Sequence, residues 1–143
     1  MPCRSCDLAA ISSGLQVHLR REVAVSTMRR MSTETPSYFK RHIFFCLNER
    51  SNGEACCAQH SAQASFDHCK KRVKDLGLAG PCQVRVNKAG CLDRCSAGPV
   101  AVVYPEGTWY TYLDASDIDE IIESHLKNGQ VVERLLTPPE AGR

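Results

Sequence analysis

The chain has 143 residues, 43% of them hydrophobic and 24% charged, with 18 Lys and Arg against 16 Asp and Glu. That length suits one domain with one real core, and a net charge of +2 argues against a dedicated nucleic-acid binder. The longest charge-free stretch, Leu8–Leu19, has 12 residues and is broken by Ser12-Ser13-Gly14; a spanning helix needs about 20 apolar residues, so no membrane segment is expected. The unusual number is nine cysteines, an odd count that leaves one thiol over in any fully paired disulfide framework. The start of the chain lacks the pattern of a secretory signal. The cysteines therefore point to a reducing compartment, the cytoplasm, where clustered thiols bind metal or do redox chemistry.

Residues 1–36 differ from the rest of the chain. They carry Arg4, Arg20, Arg21, Arg29 and Arg30 with no sustained apolar period, and read as a poorly ordered extension, with Met28 and Met31 as alternative initiators. Cys3-Arg-Ser-Cys6 has the spacing of a metal or dithiol motif, but one such pair in a tail is read as incidental. The body, 37–143, is clearer. His42-Ile-Phe-Phe-Cys-Leu47 is a short apolar run and predicts a core strand. A polar loop, Asn48–Cys56, carries Asn52-Gly53 as its turn signal. Ala62, Phe66, Cys69, Val73 and Leu76 recur at helical steps, and Gly77 stops that helix. Lys70, Lys71, Arg72 and Lys74 form its solvated side.

Pro81 opens a strand in which Cys82, Val84 and Val86 alternate with polar residues. A loop, 88–99, leads to a buried strand, Val100–Tyr104. Pro105-Glu-Gly107 turns it back into a strand over Thr108–Leu113. Asp114 or Ser116 caps a last helix that buries Ile118, Ile121, Ile122 and Leu126 and ends at Gly129. A strand or extended tail, Val131–Leu136, comes last. The order β-α-β-β-β-α predicts an α/β domain, a central sheet flanked by helices.

Cys91 and Cys95 lie in a loop bracketed by glycines, Gly90-Cys-Leu-Asp-Arg-Cys-Ser-Ala-Gly-Pro99. Cys46 ends the first strand, and Cys56 and Cys57 end the loop after it. Sequential strands usually neighbour one another, so both loops can meet at one end of the sheet and bring four thiolates together as a metal site. Zinc ribbons pair cysteines two to four apart in both halves. Cys46 and Cys57 enclose ten residues, which is loose for zinc. A [2Fe–2S] rhomb carries a charge of about −2 when oxidised and −3 when reduced, and the protein must offset it with backbone N–H donors and cations. Gly90 and Gly98 let backbone approach. Lys88 and Arg94 bring positive charge, and Arg94, between two cysteines, is expected to stabilise the reduced state.

Cys46-Leu-Asn-Glu-Arg, Cys57-Ala-Gln, Gly90-Cys-Leu-Asp-Arg-Cys-Ser-Ala-Gly-Pro-Val and Val-Val-Tyr-Pro-Glu-Gly-Thr-Trp-Tyr110 together resemble the thioredoxin-like [2Fe–2S] ferredoxins over roughly residues 40–136. The [2Fe–2S] subunit of respiratory NADH dehydrogenase is similar, with a closer-spaced first pair. The resemblance implies a thioredoxin-like fold with a central mixed sheet, and a [2Fe–2S] cluster held by Cys46, Cys57, Cys91 and Cys95. It also implies one-electron transfer between a reductase and acceptor proteins rather than an enzyme's reaction, and often a homodimer. Cys57 is preferred to Cys56 because Ala58-Gln59 comes directly after it.

The remaining candidates read as structural. Cys69 and Cys82 fall on apolar faces and are expected to be buried small hydrophobes. The histidines have no Rieske-type pairing. Trp109, Tyr110 and Tyr112 are read as core or sheet-face residues rather than as an electron path. The acids Asp114, Asp117, Asp119, Glu120 and Glu123 serve a helix N-terminus before they serve docking. No Gly-rich dinucleotide fingerprint is present, so neither NAD nor flavin is expected. Two other functions compete: a zinc-stabilised interaction module, and a thiol-disulfide oxidoreductase using Cys56-Cys57 or Cys3/Cys6.

Overall fold

A computed structural model of the chain describes residues 37–142; the arginine-rich segment 1–36 and the Cys3/Cys6 pair lie outside the described residues. Four strands form a mixed sheet in the order β2-β1-β3-β4. β1, Arg41–Cys46, lies parallel to β2, Val84–Ala89, and antiparallel to β3, Val100–Tyr104. β4, Thr108–Thr111, returns antiparallel to β3. The parallel β1–β2 pair needs a crossover, and α1, Ala62–Asp75, supplies it.

Strand alternation decides the core. Ile43 and Phe45 of β1 are fully buried and pack with Val84, Val86, Ala101, Val103 and Tyr110 of the neighbouring strands. The apolar stripe of α1, Phe66, Cys69 and Val73, lies in the same core, as do Ile118, Ile121, Ile122 and Leu126 of the last helix. Cys69 is fully buried, as its helical position predicts. α1 ends where Gly77 takes φ +66°: Leu78 N–H reaches Val73 O at 3.0 Å and Gly77 N–H reaches Lys74 O at 3.0 Å, a Schellman closure that a β-carbon would strain.

Asp114 caps α2, Ala115–Glu120, accepting from the N–H groups of Ser116 (2.9 Å) and Asp117 (3.1 Å). The helix then widens to π-helical turns over Ile121–Lys127. The acids of this helix are taken up locally. Asp117 accepts from Leu113 N–H and pairs with Arg134. Asp119 meets His68 and Arg72, and Glu123 meets Lys127.

Three expectations need correction. The segment 131–136 is not a strand: Glu133–Leu135 is one 3-10 turn, and Leu136 alone bridges to Tyr110. The strand expected from Pro81 begins at Val84, because the residues before it form a turn. Cys82 therefore sits in that turn with φ +60°, half-buried, and not on the apolar strand face.

Candidate metal centre

The strand ends bring the cysteines together. Cys46 closes β1, and Cys57 opens a 3-10 turn, Cys57–His60, ahead of α1. Both are buried, at 1% and 0% exposure, in a small apolar cluster with Ala62 and Val100, against which Leu47, Leu92, Ala97 and Trp109 pack. Cys91 and Cys95 lie in the loop between β2 and β3, with Cys95 opening a second 3-10 turn, Cys95–Ala97. Their sulfurs are 3.7 Å apart. Cys91 is exposed and Cys95 buried. Cys46 and Cys57 lie together in that apolar cluster, and each thiol shifts the titration of the other. Cys56, also buried, is the extended residue that enters the turn.

The two loops interlock through backbone donors. Leu92 N–H, from the Cys91–Cys95 loop, and Asn48 N–H both act on the Cys46 sulfur and lower its pKa. Val100 N–H serves Cys57, and Asp93 N–H reaches Cys91 Sγ at 3.4 Å. The sulfurs fall into two pairs; among the described residues no three His, Cys, Asp or Glu side chains gather as for a single ion.

This environment divides the thiols. The neighbouring Cys57 thiol holds Cys46 well below the usual thiol range, helped by backbone N–H donors and Arg50 against the opposing effect of burial. Cys57 is pushed up by Cys46 and then by burial. Cys91 is lowered by Asp93 N–H and by Arg50. Burial raises Cys95, and the neighbouring Cys91 adds to it.

The expected cation is replaced by another. Arg94 turns away from the sulfurs: Nε donates to Ala141 O at 2.8 Å and Nη2 to the carbonyls of Pro138 and Pro139. Its guanidinium lies 5.0 Å over the Trp109 ring. Lys88 is an exposed residue of β2. Arg50 takes the place assigned to them, with Nη2 3.5 Å from Cys95 Sγ and 3.7 Å from Cys91 Sγ, and Nη1 held by Glu54. The Arg50 side chain is only 12% exposed. Sequence reasoning misses it in a polar loop, although a Glu four residues beyond an Arg in a cysteine-flanked loop is a readable signal.

The expected glycine approach holds at one position. A β-carbon at Gly98 would lie 3.0 Å from Cys57 Sγ and 3.2 Å from Cys95 O, whereas nothing lies within 4 Å of one at Gly90. Trp109 is a half-buried residue of the sheet face, and Tyr110 and Tyr112 are core. The Tyr112 hydroxyl is buried without a hydrogen-bond partner.

No family model matches the chain. It is 41% identical over 98 residues to a protein from Clostridium pasteurianum named "Ferredoxin, 2Fe-2S", covering 67% of this chain and 94% of the relative. A protein of the same name from Aquifex aeolicus (strain VF5) is 37% identical over 98 residues, covering 67% and 87%. The crystal structure of the wild-type thioredoxin-like [2Fe-2S] ferredoxin from Aquifex aeolicus superposes with a TM-score of 0.62 at 34% identity, covering 71% of this chain and 99% of that one.

Proposed function

Because the chain belongs to the thioredoxin-like [2Fe–2S] ferredoxin family, we propose that Cys46, Cys57, Cys91 and Cys95 hold a [2Fe–2S] cluster and that the protein carries single electrons from a reductase to acceptor proteins. The observation that carries the assignment is the convergence of two thiol pairs, Cys46 with Cys57 and Cys91 with Cys95, on interlocked loops at one end of the sheet. Two sulfurs on each side match the demand of two irons, each of which takes two thiolates. The Cys46–Cys57 contact supports Cys57 over its neighbour Cys56 as the ligand. When bound, such a cluster accepts and returns one electron.

The residues present fit that group. A negatively charged centre needs donors around it: Asp93 N–H donates to Cys91, and the N–H groups of Asn48, Leu92 and Val100 lower the pKa of Cys46 and Cys57. Gly98 leaves the space beside Cys57 that a β-carbon would take. The apolar side around Cys46 and Cys57 excludes water. Cys91 is the exposed member of the four, which favours the Cys91–Cys95 loop as the side where redox partners approach. Ligation requires these cysteines to stay reduced, which supports a reducing compartment such as the cytoplasm. Among the described residues no helix is long and apolar enough to cross a membrane. Family membership also supports a homodimer, and a carrier rather than an enzyme with its own substrate.

Anaerobic purification with iron and sulfide analysis, followed by EPR after dithionite reduction, tests the reading. About two irons and two sulfides per chain with an S = 1/2 signal are expected. Cys57→Ser is expected to lose cluster or alter its spectrum, while Cys56→Ser leaves both unchanged. A colourless chain with one zinc overturns the proposal.

A further inference from the structure

Resting on the ferredoxin reading above, we propose that Arg50 is the positioning cation of the redox centre, raising the midpoint potential by stabilising the negative charge that reduction adds at the Cys91–Cys95 side. Arg50 Nη2 lies 3.5 Å from Cys95 Sγ and 3.7 Å from Cys91 Sγ. These are hydrogen-bond distances for a guanidinium donating to sulfur, and a charged donor to a thiolate is stronger than a neutral one. The side chain is only 12% exposed, so water screens the interaction less than it would between exposed charges.

Orientation is fixed from the far end. Glu54 takes Nη1, so the guanidinium presents its other nitrogen to the two sulfurs in one geometry. Arg50 also acts on the centre unevenly: it donates to the outer pair and reaches Cys46 only through its field. Asp93 N–H serves the same outer sulfur at Cys91. The second nearby arginine, Arg94, is spent on the C-terminal carbonyls and on Trp109, which makes it an internal control of equal charge.

The electron balance is simple. One electron enters from an external reductant, no bond forms or breaks, and the centre becomes more negative by one charge while Arg50 keeps its proton. Removing the cation weakens the hold on that electron.

The experiment is a potentiometric titration of the full chain, wild type beside Arg50→Gln, Arg50→Lys and Arg94→Gln, with iron and sulfide measured on each. Arg50→Gln is expected to weaken electron affinity about tenfold, a downward shift of about 59 mV for one electron. Arg50→Lys keeps the charge and is expected to recover at least half of that shift, which a merely structural role would not produce. Arg94→Gln is expected to leave the potential in place. A cluster-loaded Arg50→Gln at the wild-type potential overturns the assignment alone. So does an Arg94→Gln shift as large as that of Arg50→Gln, or, where Arg50→Gln fails to load, an Arg50→Lys potential lowered by the same tenfold. A wild-type chain without the S = 1/2 signal overturns the ferredoxin reading and this proposal together.

Discussion

Cys46 and Cys57 sit at 1% and 0% exposure in an apolar cluster with Ala62 and Val100, whereas Cys91 lies exposed in a loop whose neighbours are Arg50, Asp93 N–H and the C-terminal carbonyls held by Arg94. The inner pair is positioned by the end of a central strand and by packing, so its geometry is as firm as the sheet. The outer pair is positioned by polar clasps, each of which can be cut alone. Disturbing the inner pair should therefore act through sterics and stability. Disturbing the outer pair should act through charge and through the lifetime of whatever it holds.

Gly98→Ala gives the largest expected effect because that position touches both pairs. Its backbone, at φ −64° and ψ 154°, tolerates any residue, so the penalty is purely steric. The new β-carbon would stand 3.0 Å from Cys57 Sγ and 3.2 Å from Cys95 O, and the second neighbour is backbone that cannot swing away. Overpacking of this kind costs about 1–3 kcal/mol. Chemical denaturation should show that loss, and iron content per chain should fall with it. Wild-type unfolding with full iron would mean that the inner pair has room to give.

The outer pair can be loosened without touching a sulfur. Arg94 and Ser96 flank Cys95 and bind the C-terminal segment: Arg94 donates to Ala141 O at 2.8 Å and to Pro139 O at 3.1 Å, and Ser96 Oγ donates to Gly142 O at 2.7 Å. Thr137 N–H holds the same segment to Trp109 O at 3.0 Å. Arg94→Ala breaks the clasp, leaving the part-buried Ala141 carbonyl short of a donor while the exposed proline carbonyls turn to water, a cost of about 1 kcal/mol. Visible absorbance should bleach several-fold faster in the presence of an iron chelator, with the midpoint potential unmoved. A change in potential with an unchanged bleaching rate would reverse the roles assigned to Arg94 and Arg50.

How far the sequence discloses this arrangement depends on the range of each interaction. The strands β1 and β3, the stripe Phe66–Cys69–Val73 and the Gly77 stop come from local periodicity and turn chemistry, and the structure has them. The pairing of Cys46 with Cys57 and of Cys91 with Cys95 is foreseen because the strand and loop order brings each pair to one place. Arg94 misleads and Arg50 stays hidden for the same reason. Adjacency in sequence places Arg94 between two cysteines, but side-chain direction turns it toward carbonyls about 45 residues away. Arg50 meets Cys91 across 41 residues, a partnership that no local pattern encodes. The 131–136 segment fails as a strand because Glu133–Leu135 coils into a 3-10 turn beside the open edge of β4, so that only Leu136 bridges to it, at Tyr110.

The smallest expected effect lies away from both pairs and tests whether the core beneath the sheet is independent of them. His125 is fully buried. Tyr110 Oη accepts from Val132 N–H at 3.2 Å and shares a hydrogen bond of 2.7 Å with His125 Nδ1. Burial lowers the His125 pKa below 6.5 and outweighs the Glu106 carboxylate 3.7 Å away. His42 is lowered too, again chiefly by burial. Between the folded pKa and 6.5 the unfolded chain binds more protons than the folded one, so stability is complete above pH 6.5 and declines as pH falls below it. Each histidine contributes a slope of at most about 1.4 kcal/mol per pH unit. Denaturation midpoints compared at pH 7.5 and 5.5 should show the decline, and His125→Gln should flatten it in part, leaving the share of His42. An unchanged slope in that variant would mean that the buried imidazole does not take up a proton on unfolding, and that the acid sensitivity belongs to His42 and groups outside this core.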